Sequence, residues 1–260
     1  MTLPAQRVAV VTGGASGIGY ATGERLAAED VVAVLADRDE DAAALAAERL
    51  RTAGGAAHAH AVDVTDAASV ARLMDDVVAA HGGIDVLVNC AGFARPMPSA
   101  EIDEDSWAAQ LDVHLGGTMR CCRAAYPALS RSPAAAIVNV SSILGHVGNP
   151  TRLAYGTAKA GVGGLTRTLA VEWASAGIRV NAVAPGYTRT ALVQGLVRDG
   201  KLDTASLERR IPLGRLAESE EIAAAIAFVC GPDAGYITGQ TLLVDGGMSV
   251  EGNWSVSEPC

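Results

Sequence analysis

Tyr155-Gly-Thr-Ala-Lys159 sets a phenol and an ammonium four residues apart at the start of a helical stretch, so both project from one face. A cation beside a tyrosine favours phenolate, and lowering its pKa from about 10 to about 7 corresponds to roughly 4 kcal/mol of differential interaction. Such a pair can pass a proton near neutral pH. It also occurs by chance on solvated helices, so its surroundings must decide. Upstream, Val138-Asn139-Val140-Ser141-Ser142 ends an apolar run in two hydroxyls that could orient a carbonyl oxygen. Near the N-terminus, Thr12-Gly13-Gly14-Ala15-Ser16-Gly17-Ile18-Gly19 follows a G-x-x-x-G-x-G spacing and departs from the strict G-x-G-x-x-G template. Glycines there allow N–H groups at a helix N-terminus to approach a pyrophosphate; a plain tight loop is the alternative.

Asp37 closes the second apolar run 18 residues beyond Gly19, where an acid can accept hydrogen bonds from adenosine ribose hydroxyls. A 2′-phosphate beside it would meet a repulsion of about 4 kcal/mol per charge at a separation of about 4 Å, which favours NAD over NADP. Arg38 complicates this, since it could stack on adenine or partly compensate a phosphate, and Asp37 has the second reading of a helix cap for the stretch from Asp39.

These groups need elements to hold them. Short Val- and Ile-rich runs alternate with longer Ala-rich stretches, the pattern of a parallel sheet covered on both faces. Strands are expected at Arg7–Thr12, Val31–Ala36, Ala57–Val62, Ile84–Asn89, Ala135–Val140, Ile178–Ala184 and Thr241–Val244. Helices are expected near Gly17–Glu29, Asp39–Thr52, Asp66–His81, Asp103–Leu129, Ala154–Ser175 and Glu218–Cys230. Right-handed crossovers then give an α/β, doubly wound Rossmann-type sheet of seven parallel strands in the order 3-2-1-4-5-6-7. No linker or repeat divides the chain, so residues 1–260 read as one domain, with a candidate lid at about 187–215 and an aperiodic tail at 248–260 that contains Trp254.

Composition bounds the function. Half of the 260 residues are hydrophobic, enough for a sizeable core, and 20 basic against 29 acidic residues leave a charge of −9 with no Lys/Arg run to follow a phosphate backbone. Nucleic acid is excluded as a partner on that ground. No basic n-region leads a long apolar stretch, and no window of about 18 residues is continuously apolar, so neither secretion by such a signal nor a membrane span is expected. Cys90, Cys121, Cys122, Cys230 and Cys260 show no C-x-x-C spacing, which fits a reduced, cytoplasmic protein, and the alternating His58 and His60 find no partners to complete a metal site. No metal is expected.

The glycine turn, Asn89-Cys90-Ala91-Gly92, Ser142, Tyr155, Lys159 and Pro185-Gly186, in this order, resemble the short-chain dehydrogenase/reductase family over roughly residues 7–247. The resemblance implies roles. Tyr155 would pass the proton, Lys159 would hold the nicotinamide ribose and lower the tyrosine pKa, and Ser142, 13 residues before the tyrosine, would hydrogen-bond the substrate oxygen. Gly13, Ser16, Gly17, Ile18 and Gly19 would cradle the phosphates, with Ser16 replacing a basic residue frequent in NADP-preferring relatives. Asp63 and Val64 would contact adenine, and Asn89, Ala91 and Gly92 would line the cofactor strand. Pro185, Gly186, Thr188 and Thr190 would meet the nicotinamide end. His114 stands where the family usually carries a catalytic asparagine. Either its imidazole joins the proton relay, its ordinary pKa of about 6.5 lying near working pH, or it is a structural replacement whose backbone carbonyl alone serves.

The implied function is NAD(H)-dependent hydride transfer between nicotinamide and a secondary alcohol or ketone, with a homotetramer paired through the helices around Trp107–Leu129 and Ala154–Ser175. The tail either packs Trp254 near a neighbour's pocket or frays. The nearest rival is a 3-oxoacyl (carrier protein or CoA) reductase; relatives of that kind typically use NADPH and an acidic carrier, which Asp37 and the acidic balance disfavour. Enoyl reductases use a wider tyrosine-to-lysine spacing. A non-catalytic NAD(H)-binding sensor is a remoter rival, since such relatives usually lose the tyrosine or lysine. Ile143, Leu144 and Val147 after the serine, with Tyr187, Leu192 and Leu196 from the lid, predict a largely apolar substrate pocket, with Arg95, Arg152 and His146 as polar handles.

Overall fold

Seven short runs, six with apolar side chains on both faces and one that alternates Ala with His58 and His60, assemble into one parallel sheet. The computed structural model describes residues 6–200 and 202–251, and of Leu192 the backbone alone. The strands are β1 (Val8–Thr12), β2 (Val32–Asp37), β3 (Ala57–Ala61), β4 (Val86–Asn89), β5 (Ala136–Val140), β6 (Arg179–Pro185) and β7 (Thr241–Val244). Their order is β3-β2-β1-β4-β5-β6-β7, as the alternation of elements predicts. Register is fixed by pairs such as Val10↔Val34 and Val10↔Leu87.

Alternation along each strand divides the core. Val8, Val10, Val34 and Leu87 pack on one face beneath helices α3 (Ala67–His81), α5 (Gly117–Leu129) and α6 (Leu153–Trp173). Ala9, Val11, Leu35 and Val88 pack on the other beneath α1 (Gly17–Ala27), α2 (Glu40–Thr52) and α9 (Ser219–Cys230). Helix starts follow local chemistry: the Asp39 carboxylate accepts from Ala42 N–H and starts α2, and a reciprocal Glu218/Glu221 box starts α9.

Two expectations change. The single helix expected over Asp103–Leu129 is α4 (Glu104–Leu111) and α5 joined by a π-helical turn, Asp112–Gly116. One residue is inserted into the ladder there, so Gly117 N–H bonds to the Asp112 carbonyl. The candidate lid is not structureless either. It holds α7 (Ala191–Arg198), started by Thr190 Oγ1 accepting from Val193 N–H at 3.3 Å, and α8 (Thr204–Arg210). None of the described α7 side chains is fully buried, so the helix makes no call on the sheet core, although Leu192, Val193, Leu196 and Val197 recur at helical spacing. Trp254 lies outside the described residues. No described helix is long and apolar enough to cross a membrane.

Candidate active site

A cleft of about 970 Å³ opens along the carboxyl ends of the strands, where an open parallel sheet binds ligands. Its first wall is the glycine turn after β1. Gly13 takes φ +67°, and a Cβ there would meet the Ala91 backbone at 2.9 Å, so only glycine lets the two loops approach. Gly19 belongs to the packing of the turn and not to the cleft wall: a Cβ on it would lie 2.1 Å from the Gly13 carbonyl oxygen. Ser16, Gly17 and Ile18 line the opening where α1 presents its free N–H groups.

Asp37 ends β2 and reaches this wall. Its Oδ2 accepts from Ala15 N–H at 3.2 Å and its Oδ1 from Asp39 N–H at 3.2 Å, while Asp39 itself caps α2. The cap reading of Asp37 therefore gives way to a carboxylate tied to the glycine turn and facing the cleft beside Arg38, Asp63 and Val64. Thr65 donates its hydroxyl (2.7 Å) and its N–H (2.9 Å) to Asp63 Oδ1, and these bonds lower the Asp63 pKa.

Asn89 departs from expectation. It is buried in the layer beneath the cleft, and its Nδ2 donates to Asn139 Oδ1 at 2.8 Å, while Asn139 Nδ2 donates to Thr166 Oγ1 at 3.0 Å. Those bonds tie β4 to β5 and α6, leaving Ala91 and Gly92 to face the cleft. Val147 and the exposed His146 also lie off the cleft wall, whereas Ile143, Leu144, Tyr187 and Leu196 line it. So do Arg95, Arg152, Pro185, Gly186, Thr188 and Thr190. The Leu192 side chain lies outside the described structure.

Ser142, Tyr155 and Lys159 converge at the end of β5. Ser141 spends its hydroxyl proton on the Lys159 carbonyl (2.9 Å), whereas Ser142 Oγ accepts from Leu144 N–H (3.1 Å) and turns its own hydroxyl to Tyr155. Lys159 is buried, donates from Nζ to the Val140 carbonyl at 2.6 Å and sits 5.7 Å from the centroid of the Tyr155 ring. Burial pulls its pKa down to about 8. The tyrosine does not follow the predicted direction. Burial pushes its pKa above the ordinary 10.0, against a hydrogen bond from Ser142 and the nearby Arg152 charge, so the phenol is the resting form. Lys159 already spends a donor on Val140.

His114 occupies the π turn, buried and edge-on to Tyr155 with ring centroids 5.0 Å apart. Its Nε2 lies 2.7 Å from the Phe93 carbonyl and so carries the proton, which leaves Nδ1 as a buried acceptor with no partner among the described residues. Gly92 makes room for the ring, since a Cβ there would fall 2.4 Å from Cε1. Burial pushes the imidazole pKa down to about 3, so it does not titrate near 6.5 as its ordinary value suggests. The His114 carbonyl accepts the Thr118 hydroxyl at 2.7 Å.

Sequence reasoning missed Phe93, Cys90 and Asp112 on the cleft wall. The first two follow β4 at its carboxyl end, a positional signal that was available; Asp112 depends on the π turn. Burial raises the Cys90 thiol to about 11, so it is no nucleophile at neutral pH. The set as a whole fits a dinucleotide, with an anion cradle at α1, a carboxylate for the ribose diol, and a hydroxyl, phenol and ammonium at the far end.

Known proteins agree with this geometry. A family model described as enoyl-(acyl carrier protein) reductase matches residues 13–249. Cis-4-hydroxycyclohexanecarboxylate dehydrogenase of Sinomonas cyclohexanicum is 48% identical over 94% of this chain and 96% of its own length. The 3-oxoacyl-[acyl-carrier-protein] reductase of Thermotoga maritima is 36% identical over 94% and 98%. The crystal structure of a short-chain type dehydrogenase/reductase from Mycobacterium marinum superposes with a TM-score of 0.89 at 31% identity, covering 93% of this chain and 95% of that one.

Proposed function

Because this chain belongs to the short-chain dehydrogenase/reductase family, and is thereby an oxidoreductase of alcohols and ketones with a nicotinamide cofactor, we propose that it prefers NAD(H) and handles the proton at Tyr155. The observation that carries the catalytic half is the meeting of the Ser142 hydroxyl, the Tyr155 phenol it hydrogen-bonds, and Lys159 at one strand end. Ser142 holds the substrate oxygen, and Tyr155 gives it a proton in reduction or takes one in oxidation. Lys159 presents its ammonium to the ribose hydroxyls. The bound nicotinamide supplies or accepts the hydride. Asp37 carries the cofactor preference, because a 2′-phosphate would sit against its carboxylate.

The substrate is a medium-sized secondary alcohol or ketone with an apolar body, which Ile143, Leu144 and Leu196 would enclose; the 48% identical relative is named for a ring of that size. A 3-oxoacyl thioester is the second reading, favoured by the name of the 36% identical relative. The proposal extends to a cytoplasmic homotetramer in one domain with α7 as part of a lid; the four described cysteines are unbridged thiols, as a reduced compartment would leave them. Initial rates with NAD⁺ and NADP⁺ test the cofactor half. The expected result is a kcat/KM preference for NAD⁺ of more than about tenfold, relaxed by Asp37→Ala; equal efficiencies in the unaltered protein would overturn it.

A further inference from the structure

Two cations at the catalytic end of the cleft carry neither the hydride nor the proton, although the Arg152 charge acts on the Tyr155 phenol. Arg95 lies on the loop after β4, and Arg152 lies directly before α6, three residues from Tyr155; both line the cleft. The Met97 N–H donates to the Thr151 carbonyl at 3.0 Å, which ties the two loops together beside both arginines. Thr151 takes φ +65°, a left-handed conformation that a β-branched residue adopts only where its surroundings impose it. Arg95 Nη1 donates to the buried Ser106 Oγ at 3.2 Å, whose own proton goes to Asp103 Oδ2 at 2.9 Å, so a neutral hydroxyl stands between the guanidinium and the Asp103 carboxylate, whose pKa Arg95 helps to lower.

Neither arginine has a carboxylate within ion-pair reach among the described residues, in a chain of net charge −9, whereas Arg120 and Arg215 each have one. Asp112, the acid on the same stretch of wall, is already taken by Arg120 at 2.6 Å. Arg152 has no such acid and Arg95 meets Asp103 only across Ser106, so both guanidinium forks remain open to an external carboxylate, which they match through two parallel bonds.

We infer that Arg152 and Arg95 bind a carboxylate at the far end of the substrate, which makes the substrate class hydroxy and oxo carboxylic acids with an apolar body. This rests on the alcohol and ketone reading above and narrows it. The test compares cis-4-hydroxycyclohexanecarboxylate with its methyl ester, using NAD⁺ and reading kcat/KM. The acid is expected to exceed the ester by at least about tenfold, and the ratio to fall towards one in Arg95→Gln/Arg152→Gln while Arg152→Lys keeps part of it. The ratio cancels any general loss of activity or folding. Calorimetric titration of the protein and NAD⁺ with cyclohexanecarboxylate, which has no hydroxyl to oxidise, is expected to show binding at least about tenfold tighter than cyclohexanecarboxamide, a gap lost in the double variant. An ester oxidised as efficiently as the acid, or discrimination that survives the double variant, overturns this inference and leaves the alcohol reading standing. No oxidation of acid, ester or cyclohexanol overturns both.

Discussion

Burial and charge pull on Tyr155 in opposite directions, and burial wins. The Ser142 hydrogen bond and the Arg152 charge favour phenolate, yet desolvation of the ring and hydroxyl leaves the pKa above its ordinary value. The protonated phenol is ready to donate, so ketone reduction is expected to proceed at neutral pH, while alcohol oxidation, which needs the base form, should rise as the medium turns alkaline. Rates in both directions across pH check this; oxidation that falls with rising pH would contradict it. Tyr155→Phe keeps the ring against His114 and removes only the transferable proton. Folding should persist while kcat drops by about 10²–10⁴-fold, and nearly normal turnover would assign the proton to another group. Most of this chemistry was legible in residue order. Asp37 and Asn89 both end strands, but Asp37 stands one register step further out and meets the glycine turn, whereas Asn89, level with Thr12, was misplaced because a motif gives a position and not a direction. Strand alternation turns its side chain into the layer with Asn139 and Cys122.

At the scale of elements, the strands announced themselves because a sheet buried on both faces must be written in short apolar runs. The π turn did not, since an inserted residue changes hydrogen-bond partners without changing composition, and α7, amphipathic but only eight residues long, is too short for its pattern to stand out. His114 sits on that turn, and its environment makes a stability prediction. Its pKa of about 3 in the folded chain lies below the ordinary 6.5, so between those values the unfolded chain binds more protons and stability falls as pH drops. The slope for one such group is about 1.4 kcal/mol per pH unit. His114→Asn removes it, so the unaltered protein should lose stability relative to the variant as pH falls from 6.5, as urea unfolding can measure. Parallel curves would mean that the imidazole is not held neutral. His114→Leu instead leaves the Phe93 carbonyl without its side-chain donor, at a cost of about 1–3 kcal/mol.

Among the exposed apolar groups of the described residues, two sets lie on elements that could join subunits. On α5 and α6, Met119, Tyr126 and Val171 reach solvent, Val171 at 81%, and the Tyr126 ring meets Trp173 at 4.9 Å, so the two helices present a joined surface. At the far edge of the sheet, β7 pairs only with β6, and Leu242 and Leu243 of β7 are exposed. An unpaired edge strand with apolar side chains invites association unless it is covered. Were each surface to pair with its own copy, the two contacts would generate two independent two-fold axes, and two such axes close a tetramer. Light scattering should therefore give about four times the 26.4 kDa chain mass. Val171→Asp should break the helix contact and Leu243→Asp the edge contact, each leaving dimers, and the two together should leave monomers. These substitutions replace exposed groups, so the monomer should stay folded by circular dichroism. A native protein that scatters as a monomer, or single variants that remain tetrameric, would show that neither surface joins subunits.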